Sequence, residues 1–345
     1  MPHPGLHEGI PGGSPKGLGK PLSQHDIAYE PMDPGMHFQI HQSLETIPAA
    51  EWNALVEADN PFARHEFLVA MERHGAVGDA FGWYPRYLVA RQNGRLVGAL
   101  PLYLKDNSYG ELVFDWAWAK AWERAGQAYY PKLVVAIPYT PATGRRLLTG
   151  DGPKAEAVAR SLIDAAVDYA REIGVSSLHW LFTDARDTAL LAAHPEHDLR
   201  LGVQFHWQDA DYGDFDGYLA ALSASKRKKI RQERRRVRDQ GIELLRLHGD
   251  EIDDDQWRHW QHFYQSTFDR KWGMATLSEG FFREIGRTLP RNVLLVLARQ
   301  RDETVAGAFC LRGNRTLYGR HWGCSRHHDQ LHFEACYYQG FEQFA

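Results

Sequence analysis

The pattern of apolar and polar residues repeats once along the chain. Residues 86–105, RYLVARQNGRLVGALPLYLK, have a counterpart in residues 293–312, VLLVLARQRDETVAGAFCLR. In both copies an apolar run ends in Ala-Arg-Gln, a polar turn follows, and a second apolar run carries Gly-Ala. Two apolar runs around a short polar turn predict a β-hairpin, and Asn93-Gly94 is the stronger of the two turn signals.

The elements on either side of the two hairpins recur as well. Each hairpin is preceded by a short strand and two helical patterns, and is followed by a strand and a helix. The predicted elements of the first copy include a strand at 38–42, a helix at 61–73, a strand at 132–137 and a helix at 154–172. The repeated order predicts an α/β protein of the α+β type, with two tandem domains of one topology. Each domain is expected to hold a mixed, mostly antiparallel sheet flanked by helices.

The predicted domain boundaries follow from composition and from the repeat. Residues 1–37 are expected to form a disordered tail, because they are rich in Gly and Pro and poor in large apolar residues. The first domain is assigned to residues 38–210, a basic linker helix to 211–239, and the second domain to 240–345. By analogy with the first copy, the second domain is expected to be incomplete at its C-terminal end.

Two further patterns complete the first domain. Apolar runs predict strands at 175–182 and 201–208, and a helix lies between them at 185–193. An aromatic insert, residues 108–130, places Phe114, Trp118 and Trp122 at positions i, i+4 and i+8. This spacing predicts one face of a helix, which is either a core face or the wall of a pocket.

Composition narrows the class of protein. The 345 residues are 43% hydrophobic and 24% charged, which is ordinary for a soluble globular protein. No apolar run approaches the ~18 residues of a transmembrane helix, and the first residues do not resemble a secretory signal. The three cysteines, Cys310, Cys324 and Cys336, form no metal-spaced pair and are typical of a reducing compartment. We therefore expect a cytoplasmic protein.

Charge is unevenly distributed along the chain, although the net charge is only −4. Residues 225–239 hold nine Lys or Arg and two acids. This segment is either a solvated helix between the domains or a binding site for an anionic partner, such as a phosphate-rich donor or RNA. In the second case Lys226, Arg227 and Arg231 are candidate binding residues.

The predicted order of elements resembles the GNAT acyltransferase fold, and two such domains in tandem resemble the Fem-type aminoacyltransferases. Four motifs, SYGELVFDW, YYPKLVVAIPYTPATGRRLL, LYGRHWGC and LHFEACYYQG, are similar to those of the uncharacterised bacterial FemAB-like family. This family is often labelled as peptidoglycan biosynthesis or recognition proteins, or as predicted N-acyltransferases. The resemblance covers the chain from about Phe38 onward. It implies transfer of an acyl or aminoacyl group to an amine-bearing acceptor, with a peptidoglycan precursor as one candidate.

The donor stays open at this stage. Acetyl-CoA-dependent GNAT enzymes usually carry Gln/Arg-x-x-Gly-x-Gly/Ala, whose backbone N–H groups hold the pyrophosphate. The corresponding stretch of the second domain, residues 325–332, is SRHHDQLH and contains no glycine. Acyl-CoA and aminoacyl-tRNA are both candidate donors, tRNA is a candidate partner, and no tightly bound cofactor is expected.

Transfer to an amine requires a base, a donor to the carbonyl oxygen and a proton for the leaving group. Residues of these types cluster near the predicted fourth strand of the second domain; the catalytic candidates are Arg320, His321, Glu334 and Tyr337. His321 or Glu334 is expected to act as the base. The alternatives are that Tyr337 is a core residue and that His321 is a neutral, packed histidine.

The cleft between two domains is a favoured ligand site. The fourth strand of the first domain runs into PYTPATGRR, and that of the second is followed by a tryptophan. The candidate substrate-binding residues are therefore Tyr139, Thr140, Arg145, Arg146 and Trp322, and one of the two arginines is expected to pair with an anionic ligand.

Two other functions compete with catalysis of this kind. Six residues near the end of the chain are of metal-ligand type, and two of them, His328 and His332, are four apart; the six are His321, His327, His328, Asp329, His332 and Glu334. There is no His-Glu-x-x-His motif, so we predict no metal site. The second alternative is a binding module that kept the fold without its chemistry. The sequence carries no signal for an oligomeric state.

Overall fold

The computed structural model describes residues 24–26, 35–270 and 273–344. The strands of the described residues are β1 Gln24–Asp26, β2 Met36–His41, β3 Trp83–Pro85, β4 Tyr87–Gln92, β5 Arg95–Leu100, β6 Leu102–Lys105, β7 Lys132–Val135, β8 Leu178–Trp180, β9 Ile242–His248, β10 Val293–Gln300, β11 Glu303–Arg312 and β12 Leu317–Cys324. The α-helices are α1 Ala49–Asn53, α2 His65–Arg73, α3 Trp116–Arg124, α4 Ala155–Glu172, α5 Ala185–Ala192, α6 Phe215–Ala221, α7 Ala224–Asp239, α8 Asp254–Arg270, α9 Glu279–Thr288, α10 Leu331–Phe333 and α11 Gln339–Phe344. Short 3₁₀ helices lie at Leu44–Thr46, Pro61–Ala63 and Pro290–Asn292, and a π-helical turn lies at Glu334–Tyr338.

The described strands form three four-stranded sheets with the orders β1-β2-β4-β5, β3-β6-β7-β8 and β12-β11-β10-β9. Every pairing is antiparallel except that of β7 with β8. The predicted α/β architecture with mixed, mostly antiparallel sheets is therefore confirmed. The first two sheets belong to the first half of the chain and the third sheet to the second half.

Both predicted hairpins are present, and they share one irregularity. In the β4–β5 hairpin, Asn93 and Gly94 form the turn, both with positive φ angles. The pairing shifts register between Ala90 and Arg91 in the first hairpin and between Ala298 and Arg299 in the second. The Ala-Arg-Gln motif that marks the repeat in the sequence thus coincides with a β-bulge in both copies.

The two halves share one apolar core. A single cluster of buried side chains contains residues of the first half, such as Phe67, and of the second half, such as Phe281. The rings of these two residues meet edge to face with centroids 5.4 Å apart, and those of Phe62 and Tyr318 with centroids 5.0 Å apart. Edge-to-face pairs of buried rings add to the stabilisation that comes from burying their area. We call this contact, centred on α2 and α9, the apolar seam.

Polar contacts flank the apolar seam. The carboxylate of Asp59 accepts hydrogen bonds from the backbone N–H of Arg315 at 2.7 Å and from the hydroxyl of Thr316 at 2.5 Å. The carboxylate of Glu284 lies 2.8 Å from Arg73 and 2.7 Å from His74. These directional bonds set the register in which the two halves pack.

At the ends of the first half the described residues differ from two expectations. Strand β1 pairs with β2 inside the expected disordered tail, and β2 begins at Met36; the other residues of that tail, 1–23 and 27–34, lie outside the described residues. Residues 201–208 form no strand, although their apolar residues alternate. Leu201 and Phe205 are 93% and 97% exposed, so this stretch has no partner strand that would hold it in a sheet.

The aromatic insert also differs from its prediction. Helix α3 begins only at Trp116, after Phe114, whose φ is 53°. Phe114 is 73% and Trp118 59% exposed, so these rings do not form a core face. The reason is that two acids of the insert are turned inward: Glu111 and Asp115 are buried and pair with Lys132.

We expect Phe67→Ala to lower the free energy of unfolding by about 3–5 kcal/mol, because it leaves a cavity in the apolar seam. Both halves lose packing together, so denaturant unfolding should remain a single transition with a lower midpoint. The matched control is Phe114→Ala, whose ring is exposed and whose loss should change stability by less than about 0.5 kcal/mol. Equal effects of the two substitutions would contradict a shared core.

Candidate functional site

The first half contributes a strained main-chain segment where β7 ends. Tyr139 has a φ of 56°, which is uncommon for a bulky residue. Its hydroxyl donates a hydrogen bond to the carbonyl of Ala76 at 2.7 Å, and the hydroxyl of the buried Thr140 donates to the carbonyl of Pro138 at 3.0 Å. These bonds hold the segment so that the carbonyl of Tyr139 faces the second half.

The second half contributes a β-bulge in β12. Phe309 pairs with His321 and Cys310 pairs with Gly319, so Arg320 is the extra residue of the bulged strand. A bulge re-aims side chains at the point where the ladder is interrupted. The guanidinium of Arg320 donates to the carbonyl of Tyr139 and lies 3.5 Å from the hydroxyl of Thr140. The predicted Tyr139, Thr140, Arg320 and His321 are thus brought together where the halves meet.

A small cavity lies at this meeting point. Its walls are mostly apolar, and its polar groups are those just described; the lining residues are Phe67, Met71, Tyr139, Thr140, Leu277, Phe281, Phe309, Leu311, Arg320 and His321. The space open to water is about 10 Å³, which is room for about one water molecule. An acyl group therefore enters only if the surrounding side chains move apart.

His321 is held in this cavity as a neutral imidazole. Burial lowers the pKa of His321 well below its ordinary value, and the positive charge of Arg320 acts in the same direction. The ring packs edge to face on Tyr264, with centroids 4.9 Å apart. Neither ring nitrogen has a hydrogen-bond partner among the residues that the structure describes.

Arg320 remains a cation despite its surroundings. Burial lowers its pKa to about 10, so the guanidinium is still protonated at neutral pH. Its charge centre lies 5.4 Å from the centroid of the Phe62 ring, within the range of a cation–π contact. The site therefore combines a neutral base with a fixed positive charge.

Arg145 and Arg146 do not fit their predicted role as anion ligands. Arg146 is 1% exposed, and its guanidinium donates to the main-chain carbonyls of Ala142, Gly144 and Leu181 at 2.7, 3.1 and 3.1 Å. Every nitrogen of this side chain is therefore used to hold the loop that follows β7.

Arg145 is already neutralised by acids. Its guanidinium lies 2.8 Å from Glu57, 2.6 Å from Asp151 and 3.8 Å from Asp184. An incoming anion would have to displace these carboxylates. The sequence showed two adjacent arginines at a strand end, but it did not show that three carbonyls and three carboxylates of the folded chain would occupy them.

Glu334 and Tyr337 lie apart from the cavity lining. The buried carboxylate of Glu334 is 3.1 Å from the guanidinium of Arg234 on α7 and accepts a hydrogen bond from Gln339 at 2.8 Å. A carboxylate occupied in this way is a poor candidate for the base. Tyr337 is 47% exposed, so it is not the core residue that its position on the helix suggested.

The predicted cationic residues of α7 have different environments. Arg227 donates to the last carbonyls of α6, including those of Leu219 and Ala220 at 3.3 and 3.1 Å. Arg231 lies 4.0 Å from the exposed Asp216, and Lys226 is exposed. A better-defined feature is a stripe at i, i+3, i+7 and i+10 formed by Lys228, Arg231, Arg235 and Arg238, all of them exposed. We call these four residues the basic stripe.

Sequence reasoning missed a buried ionic cluster at the base of the aromatic insert. Lys105 and Lys132 face each other across β6 and β7 and are both fully buried. The ammonium of Lys132 lies 2.8 Å from Glu111 and 2.5 Å from Asp115. Two features of the sequence could have predicted this cluster. Lysines lie inside the apolar strands LYLK and KLVV, and two acids stand four apart in an aromatic stretch.

The histidines near the end of the chain are not arranged as metal ligands. Among the described residues, no three His, Cys, Asp or Glu side chains come together in a way that could hold a metal ion. The ring of His332 instead packs against Trp322, with centroids 5.4 Å apart. In the same part of the chain, no helix is long and apolar enough to cross a membrane.

The fold is similar to known structures at low sequence identity. The crystal structure of FemX is 12% identical, with a TM-score of 0.51, over 86% of this chain and 84% of that chain. A conserved protein of unknown function from Bacteroides thetaiotaomicron is 12% identical, with a TM-score of 0.48, over 89% of this chain and 86% of that chain. A tandem GNAT protein from the clavulanic acid biosynthesis pathway is 15% identical, with a TM-score of 0.42, over 90% of this chain and 83% of that chain.

At these identities, the likeness to FemX shows a shared fold and nothing further. No curated protein sequence matches the chain. The family comparison is more specific: the sequence model of the FemAB-like family, described as peptidoglycan biosynthesis/recognition, matches residues 43–344. Because the match extends over most of the chain, this protein belongs to the FemAB-like family.

Proposed function

We propose that this protein is an N-acyltransferase that transfers an acyl or aminoacyl group to an amine in the cavity between its two halves. The observation that carries the proposal is the neutral imidazole of His321, without a hydrogen-bond partner among the described residues, beside the cationic Arg320. The FemAB-like family and the FemX-like fold support a transferase.

In the proposed reaction the acceptor amine attacks the carbonyl carbon of the activated donor. The new C–N bond forms while the C–S bond of a thioester or the C–O bond of an aminoacyl ester breaks. His321 takes the proton that the amine loses and returns it to the leaving thiolate or alkoxide. A neutral imidazole is suited to this role because its deprotonated ring nitrogen is available at neutral pH to take the proton as the amine attacks.

Arg320 is proposed to stabilise the negative charge that develops on the carbonyl oxygen. Its guanidinium has five N–H donors, and its hydrogen bonds to the described residues involve one terminal nitrogen, which faces Tyr139 and Thr140. A fixed cation in an apolar, water-poor cavity interacts more strongly with developing charge than one in water. The hydrogen bonds of the Tyr139 and Thr140 hydroxyls keep this partner in place.

The donor is proposed to carry several negative charges, because the basic stripe presents four exposed cations along about 15 Å of helix. Lys228, Arg235 and Arg238 have no acidic partner among the described residues. An aminoacyl-tRNA has phosphates at intervals along such a length, whereas an acyl-CoA has its phosphates close together. We therefore favour aminoacyl-tRNA over acyl-CoA as the donor.

The acceptor is proposed to be an amine-bearing peptidoglycan precursor, in line with the description of the family. Such precursors are made in the cytoplasm, which is the location we propose for this protein.

A binding module without catalysis is the second candidate function, and the closed cavity favours it. A screen of acyl-CoAs and charged tRNAs with amine acceptors, followed by mass spectrometry, separates the two functions.

We expect His321→Ala to lower turnover about 10²-fold or more, because the acceptor amine loses its base. Turnover is measured by mass spectrometry with the donor that the screen identifies. The matched control is His37→Ala, at an exposed residue of β2, which should keep full activity. Glu334→Gln should instead weaken the contact with Arg234 and lower the melting temperature, with turnover per folded molecule retained. If His321→Ala keeps full turnover, the base lies elsewhere.

The acid limb of the kcat/KM profile should lie well below pH 6.5, because this profile reports the free enzyme's base. Removing the nearby cation in Arg320→Met should raise the pKa of His321, so the limb should move toward pH 6.5 even though the overall rate falls.

The lowered pKa of His321 also affects stability: below pH 6.5 the unfolded chain takes up a proton at this imidazole before the folded chain does. Unfolding free energy should therefore fall as the pH drops below 6.5. A limb unmoved by Arg320→Met would contradict this assignment.

Replacing Lys228 and Arg235 by Gln should weaken binding of tRNA, and the slope of log K against log salt should become shallower by roughly 0.7–0.9 per lost phosphate contact. Filter binding at several salt concentrations measures both quantities. The matched control replaces the exposed Arg287 and Arg291 by Gln and should leave the slope unchanged. If the parent and both variants give equal slopes, α7 does not contact tRNA and is a solvated linker helix.

A further inference from the structure

Tyr139, whose carbonyl holds Arg320, rests on the first turn of the aromatic insert. The backbone N–H of Tyr139 donates a hydrogen bond to the carbonyl of Gly110 at 3.1 Å. Gly110 has a φ of 79°, a conformation that favours glycine, and a Cβ at this position would overlap the ring of Tyr139. The ring therefore lies directly on the main chain of Gly110. We call residues 107–110 the supporting turn.

Trp83 joins the supporting turn to the ring of Tyr139. Its indole N–H donates to the carbonyl of Tyr109 at 3.0 Å, and the centroids of the Trp83 and Tyr139 rings are 5.8 Å apart. Trp83 is fully buried and also packs edge to face on Tyr103, with centroids 5.4 Å apart. Because packed interiors transmit strain, a shift of the turn reaches Tyr139 through this indole as well as through Gly110.

Lys105 holds the supporting turn from inside the protein. Its amino group donates to the carbonyl of Tyr109 at 3.2 Å and to the side-chain oxygen of Asn107 at 3.3 Å. It also lies 4.1 Å from the centroid of the Trp83 ring. Among the described residues no carboxylate lies within ion-pair distance of Lys105, and burial lowers its pKa to about 7. A buried amine without an ion pair costs stability, and the shortest bonds that this one makes are those to the turn.

The neighbouring strand holds the same turn. Lys132 on β7 faces Lys105 on β6, and its ammonium donates to the hydroxyl of the buried Ser108 at 3.1 Å. The hydroxyl of Tyr130 lies 2.7 Å from that of Ser108. Strand β7 is also the strand that leads into Tyr139. The supporting turn and the Tyr139 segment are therefore tied to one strand.

Arg320 depends on this support for its direction. Its hydrogen bonds to the described residues go to the carbonyl of Tyr139 and the hydroxyl of Thr140. In the part of the chain that the structure describes, no carboxylate pairs with this guanidinium. Since acceptors rather than an ion pair hold the side chain, the place of the Tyr139 carbonyl determines where the positive charge lies.

We propose that the supporting turn positions the guanidinium of Arg320 for acyl transfer, with Gly110 and Lys105 as its positioning residues. Neither residue lines the cavity, and both act through the carbonyl of Tyr139. Gly110 leaves the space into which the ring of Tyr139 packs, and Lys105 keeps the turn in the place that this packing requires. The effect on turnover rests on the proposed function, whereas the effect on the position of the guanidinium does not.

Gly110→Ala tests the contact between the turn and Tyr139. The added methyl group forces the ring and its carbonyl to shift. With the donor that the screen identifies, kcat should fall at least about tenfold at unchanged KM, because the developing charge loses a well-placed partner. The matched control is Gly126→Ala in the same insert. Its φ is 72°, so it carries the same main-chain strain, but nothing lies within 4 Å of the added methyl group. It should keep the kcat of the parent.

An NMR titration of His321 gives a readout that requires no activity. Its imidazole signal is identified by its absence from the spectrum of His321→Ala. Burial and, after it, the positive charge of Arg320 lower the pKa of His321, so a displaced guanidinium in Gly110→Ala should raise this pKa. Lys105→Met replaces the amine by an apolar chain of similar length and removes its bonds to the turn, and it should raise the pKa too. Lys120→Met, at an exposed lysine of the same insert, is its matched control and should leave the pKa unchanged.

A raised pKa of His321 together with a lowered kcat supports the proposal. If Gly110→Ala and Lys105→Met both leave the pKa as it is in the parent, the turn does not position Arg320 and the proposal is wrong. A raised pKa with full turnover would keep the turn as the support of the guanidinium but contradict the role of Arg320 in the proposed function. A cooperative melting transition shows that each variant is folded, and if Gly110→Ala does not fold, Lys105→Met decides.

Discussion

The contact of Phe67 with Phe281 is the interaction on which the rest of this structure depends. It joins the two halves of the chain into a single core, so neither half keeps its own closed apolar interior on this side. The same contact forms one wall of the cavity and brings the end of β7 against the bulge of β12. Because packed interiors tolerate little misfit, the register of the apolar seam sets the distance between Tyr139 and Arg320.

The two halves of the protein contribute different groups to the candidate site. Both hairpins keep a bulge after the same Ala-Arg-Gln motif, which preserves their twist and curvature. The first half supplies main-chain acceptors, at Tyr139, and carries the aromatic insert. The second half supplies the ionisable side chains, Arg320 and His321. A site assembled in this way requires both halves, since each copy holds groups that the other lacks.

Burial governs the charged groups throughout the molecule. Arg146 and Lys132 are fully buried, but each is surrounded by acceptors, so their charges serve to fix loops. His321 is half-buried and has no such partner among the described residues, and it stays neutral for that reason. A charge in an apolar surrounding is costly unless it is paired. Arg146 and Lys132 are paired and hold the structure, whereas His321 is unpaired, stays neutral and can exchange a proton.

The sequence by itself determined the repeated order of elements, both hairpins and the basic helix, because these depend on local periodicity and on turn residues. Its motifs also carried the resemblance to the FemAB-like family. It also pointed to Arg320 and His321 at the end of a strand. Only the tertiary structure decided that Arg146 is locked by carbonyls, that Glu334 pairs with Arg234 and that Phe114 faces outward. The partners of these side chains lie far away along the chain, and no local pattern states which of two adjacent arginines will be buried, or whether an aromatic face will find a surface to cover it.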